Sequence, residues 1–581
     1  MNVAYTKEEN VRMLVALLKQ FGISKVVTSP GTTNVTFVAS IQSDPFFEVF
    51  SSVDERSAAY IACGMAAESG EPVVLSCTGA TASRNYVPGL TEAFYRKLPV
   101  LAVTSMQHPG RVGQYVPQVL DRSAPMADIC VKHVQVTVPH SDEDAWECNL
   151  LLNEALLALT RDGGGPVHIN LQTEYSRDFS AKPLPRYRMI RRYTAEDELP
   201  ALEARKVGVV VGAHAPFSDE ATSAIERFCD RYDAVVLCDQ TSNYRGSHRV
   251  LAALVTNQDA SLPDIARFDV LIHIGSVSGA SLHIYPSEVW RVNPDGEIRD
   301  CYKKQTAVFE MSELRFFTKY ADCVERRSDR GDESLKRWKD AYRDNLSAVP
   351  ELPFSNLWMA QHTASKLPAG SSLHLGILNS LRAWNMFETP EDVSCYSNTG
   401  GFGIDGALST TLGASLASPG KLFFCVLGDL AFFYDLNALG NRHFGGNVRI
   451  LLVNNGRGTE FRNYAHPAAQ FGDDADAFMA AAGHFGDKSR TLVKNFASDL
   501  GFEYLSASGK AEYLELLPRF ISPESRERPM VLEVFTDSQD ESDALEAISN
   551  IAHDSKGAAK QLVKKALGQK GIDMAKKMLG R

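Results

Sequence analysis

Residues 423–430 have the sequence Phe-Phe-Cys-Val-Leu-Gly-Asp-Leu, an apolar strand-like run that ends at Gly428 and Asp429. A second apolar run leads into Asn454-Asn455-Gly456, which places Asn455 26 residues after Asp429. Parallel strands joined by a crossover bring their carboxyl ends to one sheet edge, where open α/β sheets bind ligands. The converging carboxylate and amide oxygens suit Mg²⁺ held against phosphates. The pattern therefore predicts a diphosphate site.

A carboxylate far upstream lies at a second strand-to-helix edge. The apolar run 47–53 is followed by Asp54, a suitable helix N-cap, and by an Ala-rich stretch that stops at Gly70. Glu55 therefore belongs to the first turn of a predicted helix, at the edge of a predicted sheet.

The spacing of these motifs resembles the diphosphate signature of thiamine diphosphate (ThDP) enzymes, with Leu430 in place of their third motif residue. Whole blocks resemble one subfamily, the menaquinone-pathway carboligases known as 2-succinyl-5-enolpyruvyl-6-hydroxy-3-cyclohexene-1-carboxylate synthases. The matching blocks lie within residues 25–130 and 370–465, in the family's order. They include Ser29-Pro30-Gly31, residues 54–59, Asn85-Tyr86, Gln118 with Asp121, Ser397-Asn398, residues 403–410 and residues 434–439.

The resemblance implies ThDP and Mg²⁺ as cofactors. In the family, the glutamate that matches Glu55 hydrogen-bonds the aminopyrimidine ring, whose nitrogen takes the proton from the thiazolium carbon. Gln118 matches a glutamine that offers the reacting substrate an uncharged hydrogen-bonding group. The implied Mg²⁺ ligands are Asp429, Asn455 and the backbone carbonyl of Arg457. The remaining implied cofactor contacts are Ser397, Asn398, Ile404, Gly428, Leu430 and Phe461.

The chain departs from the family at its substrate-binding arginines. It has Thr33, Gln107, Thr399 and Leu416 where the resemblance places guanidinium groups. Because Thr and Leu cannot replace a bidentate clamp on a carboxylate, we expect substrates other than 2-oxoglutarate and isochorismate. Candidates for a relocated anion site are Arg84, Arg111, Arg382, Arg457 and Arg462. The predicted substrate-site residues are Thr33, Arg84, Gln107, Arg111 and Thr399.

Composition narrows the class of protein. A chain of 581 residues with 44% hydrophobic residues predicts several domains with large cores. Its net charge of −11 argues against nucleic acid as a partner. The ten cysteines form no Cys-x-x-Cys pair, and neither a signal core nor a membrane-length apolar run is present. We therefore expect reduced thiols and a cytoplasmic location.

Strand-like runs and helical stretches alternate along the chain, which predicts α/β domains, each a mainly parallel sheet flanked by helices. We expect a pyrimidine-binding domain at 1–180, a central Rossmann-like domain at 200–345 and a diphosphate- and Mg-binding domain at 350–545. The Pro-rich segment 181–200 is interpreted as a linker. For the basic amphipathic tail at 552–581 we favour packing on its own subunit or fraying, with docking on an anionic membrane surface or on a partner as the alternative.

The resemblance implies an enzyme that decarboxylates a 2-oxo acid and transfers the resulting acyl carbanion to an acceptor. An acetolactate-synthase-like enzyme that uses pyruvate and a non-catalytic ThDP-fold binding subunit are the alternatives. Retention of Glu55, Asp429 and Asn455 favours an enzyme. The family also implies a homodimer or homotetramer, in which the glutamate-bearing domain of one subunit completes the cofactor site of another.

Overall fold

The computed structural model describes residues 4–259, 264–322, 333–524 and 527–551. The predicted tail at 552–581 lies outside these residues. The chain divides into two compact units, Met1–Tyr193 with Ile298–Val308 and Thr194–Glu297 with Phe309–Arg581. Three parallel sheets flanked by helices confirm the predicted α/β fold.

The first sheet lies in the first unit, and its strand order is β2-β1-β3-β4-β6-β5. Its strands are β1 Lys25–Thr28, β2 Glu48–Ser51, β3 Val73–Cys77, β4 Val100–Met106, β5 Lys132–Val136 and β6 Val167–Gln172. All of the neighbouring pairs are parallel. The chain leaves β1 and β3 in opposite directions, which opens a crevice at their carboxyl ends.

The central sheet lies in the second unit, where its parallel strands have the order β10-β9-β8-β11-β12. These strands are β8 Val207–Val211, β9 Val235–Cys238, β10 Arg249–Leu251, β11 Arg267–Ile274 and β12 Tyr285–Val292. Strands β7 Arg191–Thr194 and β13 Gln305–Glu310 occur where the chain passes between the units in sequence. The segment 181–200, interpreted as a linker, contains the boundary between the units after Tyr193 and also strand β7, which its Pro and charge content concealed.

The third sheet, also in the second unit, repeats the topology of the first, with the order β15-β14-β16-β17-β19-β18. Its strands are β14 Ser372–Leu375, β15 Ser394–Tyr396, β16 Phe423–Gly428, β17 Val448–Asn454, β18 Glu503–Ala507 and β19 Met530–Phe535. Apolar clusters pack on it, and β17 is buried along its whole length. Its crevice opens between the carboxyl ends of β14 and β16, immediately before Asp429.

Helices cover the sheets of both units. In the first unit they are Glu9–Gln20, Val35–Ile41, Glu55–Ser69, Ala80–Asn85, Val87–Tyr95 and Asp142–Ala158. In the second they are Asp219–Tyr232, Ala253–Thr256, Glu313–Asp322, Glu333–Ser347, Asn356–Thr363, Asn379–Trp384, Ala407–Ala417, Asp429–Tyr434, Phe485–Lys488, Leu492–Asp499, Lys510–Ile521 and Ser538–Ser549. Within the described ranges, none of these helices has the length and apolar character needed to cross a membrane.

The helix Glu55–Ser69 has the ends predicted from its sequence. The Asp54 carboxylate accepts a hydrogen bond of 2.7 Å from the Ser57 backbone N–H. Gly70 ends the helix with a φ of 68°, a left-handed conformation that glycine adopts without steric cost. These two ends fix Glu55 as the first helical residue beyond β2.

Candidate functional site

A cavity of about 180 Å³ lies at the carboxyl ends of β16 and β17 in the second unit. Seven of the predicted cofactor and metal residues line it: Ile404, Gly428, Asp429, Leu430, Asn455, Arg457 and Phe461. Sheet topology brings the two motifs together, because β16 and β17 are parallel neighbours that end at the same edge.

Asp429 is the buried carboxylate of this cavity, with 4% of its surface exposed. It begins the helix Asp429–Tyr434, and its Oδ1 accepts a hydrogen bond of 2.7 Å from the Leu430 backbone N–H. Burial raises its pKa to about 6, and the backbone N–H groups of Leu430 and of residues 455–457 oppose this rise. The carboxylate therefore lies against the loop after β17, where a cation would hold it in its charged form.

That loop has three buried polar atoms without a hydrogen-bond partner among the described residues: Asn455 Oδ1, Arg457 Nε and Thr459 Oγ1. The preceding Asn454 differs, since its Nδ2 donates to Glu533 Oε1 at 2.6 Å and its Oδ1 accepts from the Gly456 N–H at 3.2 Å. Buried polar groups are costly to leave unpaired, so this loop is suited to a polar ligand. The oxygens of Asp429 and Asn455 fit Mg²⁺.

Glycines shape the walls of the cavity. A Cβ on Gly428 would meet nothing within 4 Å, so the backbone there stays open to a ligand. A Cβ on Gly458 would lie 3.1 Å from the Phe461 ring and 3.2 Å from Leu430 Cδ1. Gly458 thus lets these two apolar side chains approach each other beside the buried carboxylate.

Two residues that line this cavity lie far from the motifs in sequence, and the sequence analysis does not predict them. Both carboxylate oxygens of Glu541 accept hydrogen bonds from the Asn356 backbone N–H, at 3.0 and 3.1 Å, and burial raises its pKa to about 7. Leu378 lies just beyond β14 with a φ of 65°, a strained conformation for a non-glycine residue. Neither position carries a local sequence signal, because the fold alone brings it to the cavity.

Ser397 and Asn398 line a separate, smaller cavity that Ile404 connects with the larger one. The Ser397 hydroxyl donates to the Leu375 carbonyl at 2.7 Å, and the Asn398 amide bonds the Thr410 hydroxyl at 3.2 Å. The structure thus places these two predicted cofactor contacts beside the Asp429 cavity rather than on it.

In the first unit, Glu55 is partly buried at the carboxyl end of β2. Burial raises the pKa of Cys77, the last residue of β3, to about 12, and the charge of Glu55 adds to this rise. Thr33 Oγ1 accepts from the Gly79 N–H at 3.2 Å and bonds the Thr78 hydroxyl, so it joins the loops after β1 and β3. Glu55 thus lies near the end of β3, which borders this crevice, and Thr33 serves a structural contact there.

The other predicted residues of the first unit lie on exposed segments. Gln118 is exposed with a φ of 63° in the long loop after β4. The Gln107 side-chain oxygen accepts a hydrogen bond of 2.6 Å from Arg111 Nη1. These two side chains are therefore partners of each other in this structure. Arg84 is exposed at the end of its helix.

Three of the five arginines proposed for a relocated anion site already contact carboxylates. Arg382 makes two hydrogen bonds of 2.8 Å to Glu460, and Arg457 binds Asp476 at 2.6 Å. Arg462 lies 3.0 Å from Asp473. The sequence did not show that carboxylates of the same unit would pair with these arginines.

Comparison with known proteins defines the class to which this site belongs. Residues 9–124 match the family described as thiamine pyrophosphate enzyme, N-terminal TPP binding domain. A solved structure, the Rhodococcus jostii RHA1 thiamine diphosphate-dependent 4-hydroxybenzoylformate decarboxylase, covers 91% of this chain and 99% of its own at 16% identity, with a TM-score of 0.41. On the match of its N-terminal domain, the chain is a ThDP-dependent enzyme.

Curated relatives narrow the class to one family. The chain is 32% identical over 564 residues to the 2-succinyl-5-enolpyruvyl-6-hydroxy-3-cyclohexene-1-carboxylate synthase of Bacteroides fragilis, covering 92% of this chain and 97% of the relative. The synthase of Phocaeicola vulgatus is also 32% identical, over 560 residues, with the same coverage. The chain belongs to the family of these synthases.

Proposed function

We propose that this enzyme uses ThDP and Mg²⁺ to decarboxylate a 2-oxo acid and to transfer the resulting acyl carbanion to an acceptor. Bound ThDP supplies the electron sink that such a decarboxylation requires. The observation that carries the proposal is the cavity at β16 and β17, where a buried carboxylate faces a loop with unpartnered polar atoms.

In this proposal the residues of the second unit bind and orient the cofactor. Mg²⁺ would be held by Asp429, the side-chain oxygen of Asn455 and the backbone carbonyl of Arg457, and it would offset the charge of the diphosphate. Phe461 and Ile404 provide apolar surface for the rings. In the first unit, Glu55 would hydrogen-bond the aminopyrimidine ring, and Gln118 would contact the reacting substrate.

We infer that the substrates differ from those in the names of the curated relatives. The positions of the family's arginines carry no cation here: Thr33 and Thr399 are buried, and Leu416 is exposed. The side-chain oxygen of Gln107 already accepts a hydrogen bond from Arg111. Each lost charge-assisted hydrogen bond costs about 1.5–3 kcal/mol of binding free energy. Several losses together therefore lower the affinity for a dicarboxylate donor by orders of magnitude.

We also propose a homodimer, or a tetramer of two dimers. Large apolar side chains are exposed on the first unit, including Val53 at 81%, two residues before Glu55, and Tyr95 at 72%. Tyr60 and Ile61 on the helix Glu55–Ser69 are exposed as well. Such side chains are typical of surfaces that another subunit covers. The cytoplasmic location stays a prediction from the sequence.

Asp429→Asn tests the metal and diphosphate assignment. The variant keeps the shape of the side chain but removes its charge, so Mg²⁺ and ThDP together should no longer raise the thermal unfolding temperature. Asp435→Asn is the matched control, because the Asp435 carboxylate bonds the backbone N–H and hydroxyl of Ser409 outside the cavity. An equal cofactor-dependent rise in wild type and Asp429→Asn would refute the assignment.

A further inference from the structure

A second and wider cavity, of about 410 Å³, lies in the same unit as the candidate cofactor cavity. The two cavities share Leu378 and Glu460 as lining residues. Its volume falls in the range of small-molecule binding sites. The two cavities are therefore adjacent, with Leu378 and Glu460 at the boundary between them.

The guanidinium of Arg382 is the fixed cation of this wider cavity, and its hydrogen-bonding edge is already occupied. Its Nη1 and Nη2 each donate to Glu460 at 2.8 Å, and Nη1 also donates to Asn379 Oδ1 at 2.8 Å. Asn463 Nδ2 donates to Glu460 Oε2 at 3.1 Å and to Asn379 Oδ1 at 3.0 Å. The carboxylate of Glu460 thus takes the place that a substrate carboxylate would need.

The remaining wall of the wider cavity disfavours a negative charge. Asp259 adds a second carboxylate, which accepts a hydrogen bond of 2.6 Å from the Tyr464 hydroxyl. Apolar side chains make up much of the rest: Ala253, Leu381, Met386, Phe402 and Leu545. The lining thus contains one guanidinium, the imidazoles of His283 and His466 and two carboxylates beside these apolar side chains.

We propose that the wider cavity receives the uncharged tail of a 2-oxo monocarboxylic acid, and that Glu460 excludes dicarboxylic donors by occupying Arg382. This inference rests on the proposed function and assigns Glu460 as a residue that determines donor specificity. Replacing its carboxylate by an amide of the same shape should release the guanidinium for a second substrate carboxylate.

The test compares two donors of similar length, 4-methyl-2-oxopentanoate and 2-oxoglutarate, on the enzyme loaded with ThDP and Mg²⁺. Calorimetry gives the dissociation constant of each, and CO₂ release gives kcat/KM. Wild type should prefer the uncharged donor. Glu460→Gln should shift both ratios toward 2-oxoglutarate by about tenfold or more, the effect of one charge-assisted hydrogen bond. Arg382→Gln added to this variant should abolish the shift.

Glu503→Gln is the matched control, because Glu503 makes a similar two-bond contact with Arg519, at 3.0 and 2.9 Å, away from both cavities. Its donor preference should equal that of wild type. Unchanged ratios in Glu460→Gln, a wild-type preference for 2-oxoglutarate, or binding of neither donor would overturn the inference. Failure of ThDP and Mg²⁺ to stabilise the wild type would instead defeat the proposed function itself.

Discussion

At the scale of single residues, the candidate cofactor cavity is lined in part by side chains remote in sequence from its motifs. Glu541 lines it from the helix that follows the last strand, and its two oxygens accept from the Asn356 N–H. Asn455 was found by its motif, whereas Glu541 was missed because a single Glu in a helical first turn is common. The sequence therefore predicted the candidate metal ligands Asp429 and Asn455, which line the cavity, but not its second buried carboxyl group.

The buried carboxyl group of Glu541 should make the stability of the protein depend on pH. Its folded-state pKa of about 7 lies above its ordinary value of 4.5, so the folded state retains a proton that the unfolded state loses. Stability should fall as pH rises from about 5 to 8. Between about pH 5 and about pH 8, the free energy of unfolding of Glu541→Gln should rise by on the order of 3 kcal/mol relative to that of wild type. Urea unfolding at the two pH values measures this difference.

The exposed Asp543 on the same helix provides the control for this measurement. Asp543→Asn should retain the pH dependence of wild type because its carboxylate stays in water. A parallel pH dependence of wild type and Glu541→Gln would show that Glu541 is not the group that titrates.

At the scale of elements, the buried parallel strands were predictable and the edge strands were not. Runs such as Val207–Val211 are almost entirely apolar, as expected for strands covered on both faces. Strand β7, Arg191–Thr194, has a polar sequence and was interpreted as part of a linker. The crevice beside β16 followed from the parallel connection of two motif-bearing strands, which is why the larger part of the predicted diphosphate site is assembled around one cavity.

At the scale of the whole molecule, Glu55 and Asp429 belong to different compact units of the chain. The family resemblance implies that they act on one cofactor from two subunits. The inactive variants Glu55→Gln and Asp429→Asn should therefore complement each other after subunit exchange. A random mixture is half heterodimer, and each heterodimer has one intact site of two, so about a quarter of the wild-type activity should return.

Mass spectrometry of the mixed subunits verifies that exchange has occurred before activity is assayed. Verified exchange without recovery of activity would contradict the shared-site proposal. Full activity of either variant alone would contradict the role assigned to its residue.

The exchange rate of the thiazolium C2 proton tests, without knowledge of the substrate, whether this chain activates ThDP. NMR of the cofactor after transfer to D₂O, with quenching at short times, gives this rate on the protein. Wild type should exchange the proton orders of magnitude faster than free ThDP, whereas Glu55→Gln should bind ThDP and Mg²⁺ but exchange slowly. Exchange in wild type as slow as in free ThDP would instead indicate a non-catalytic binding subunit.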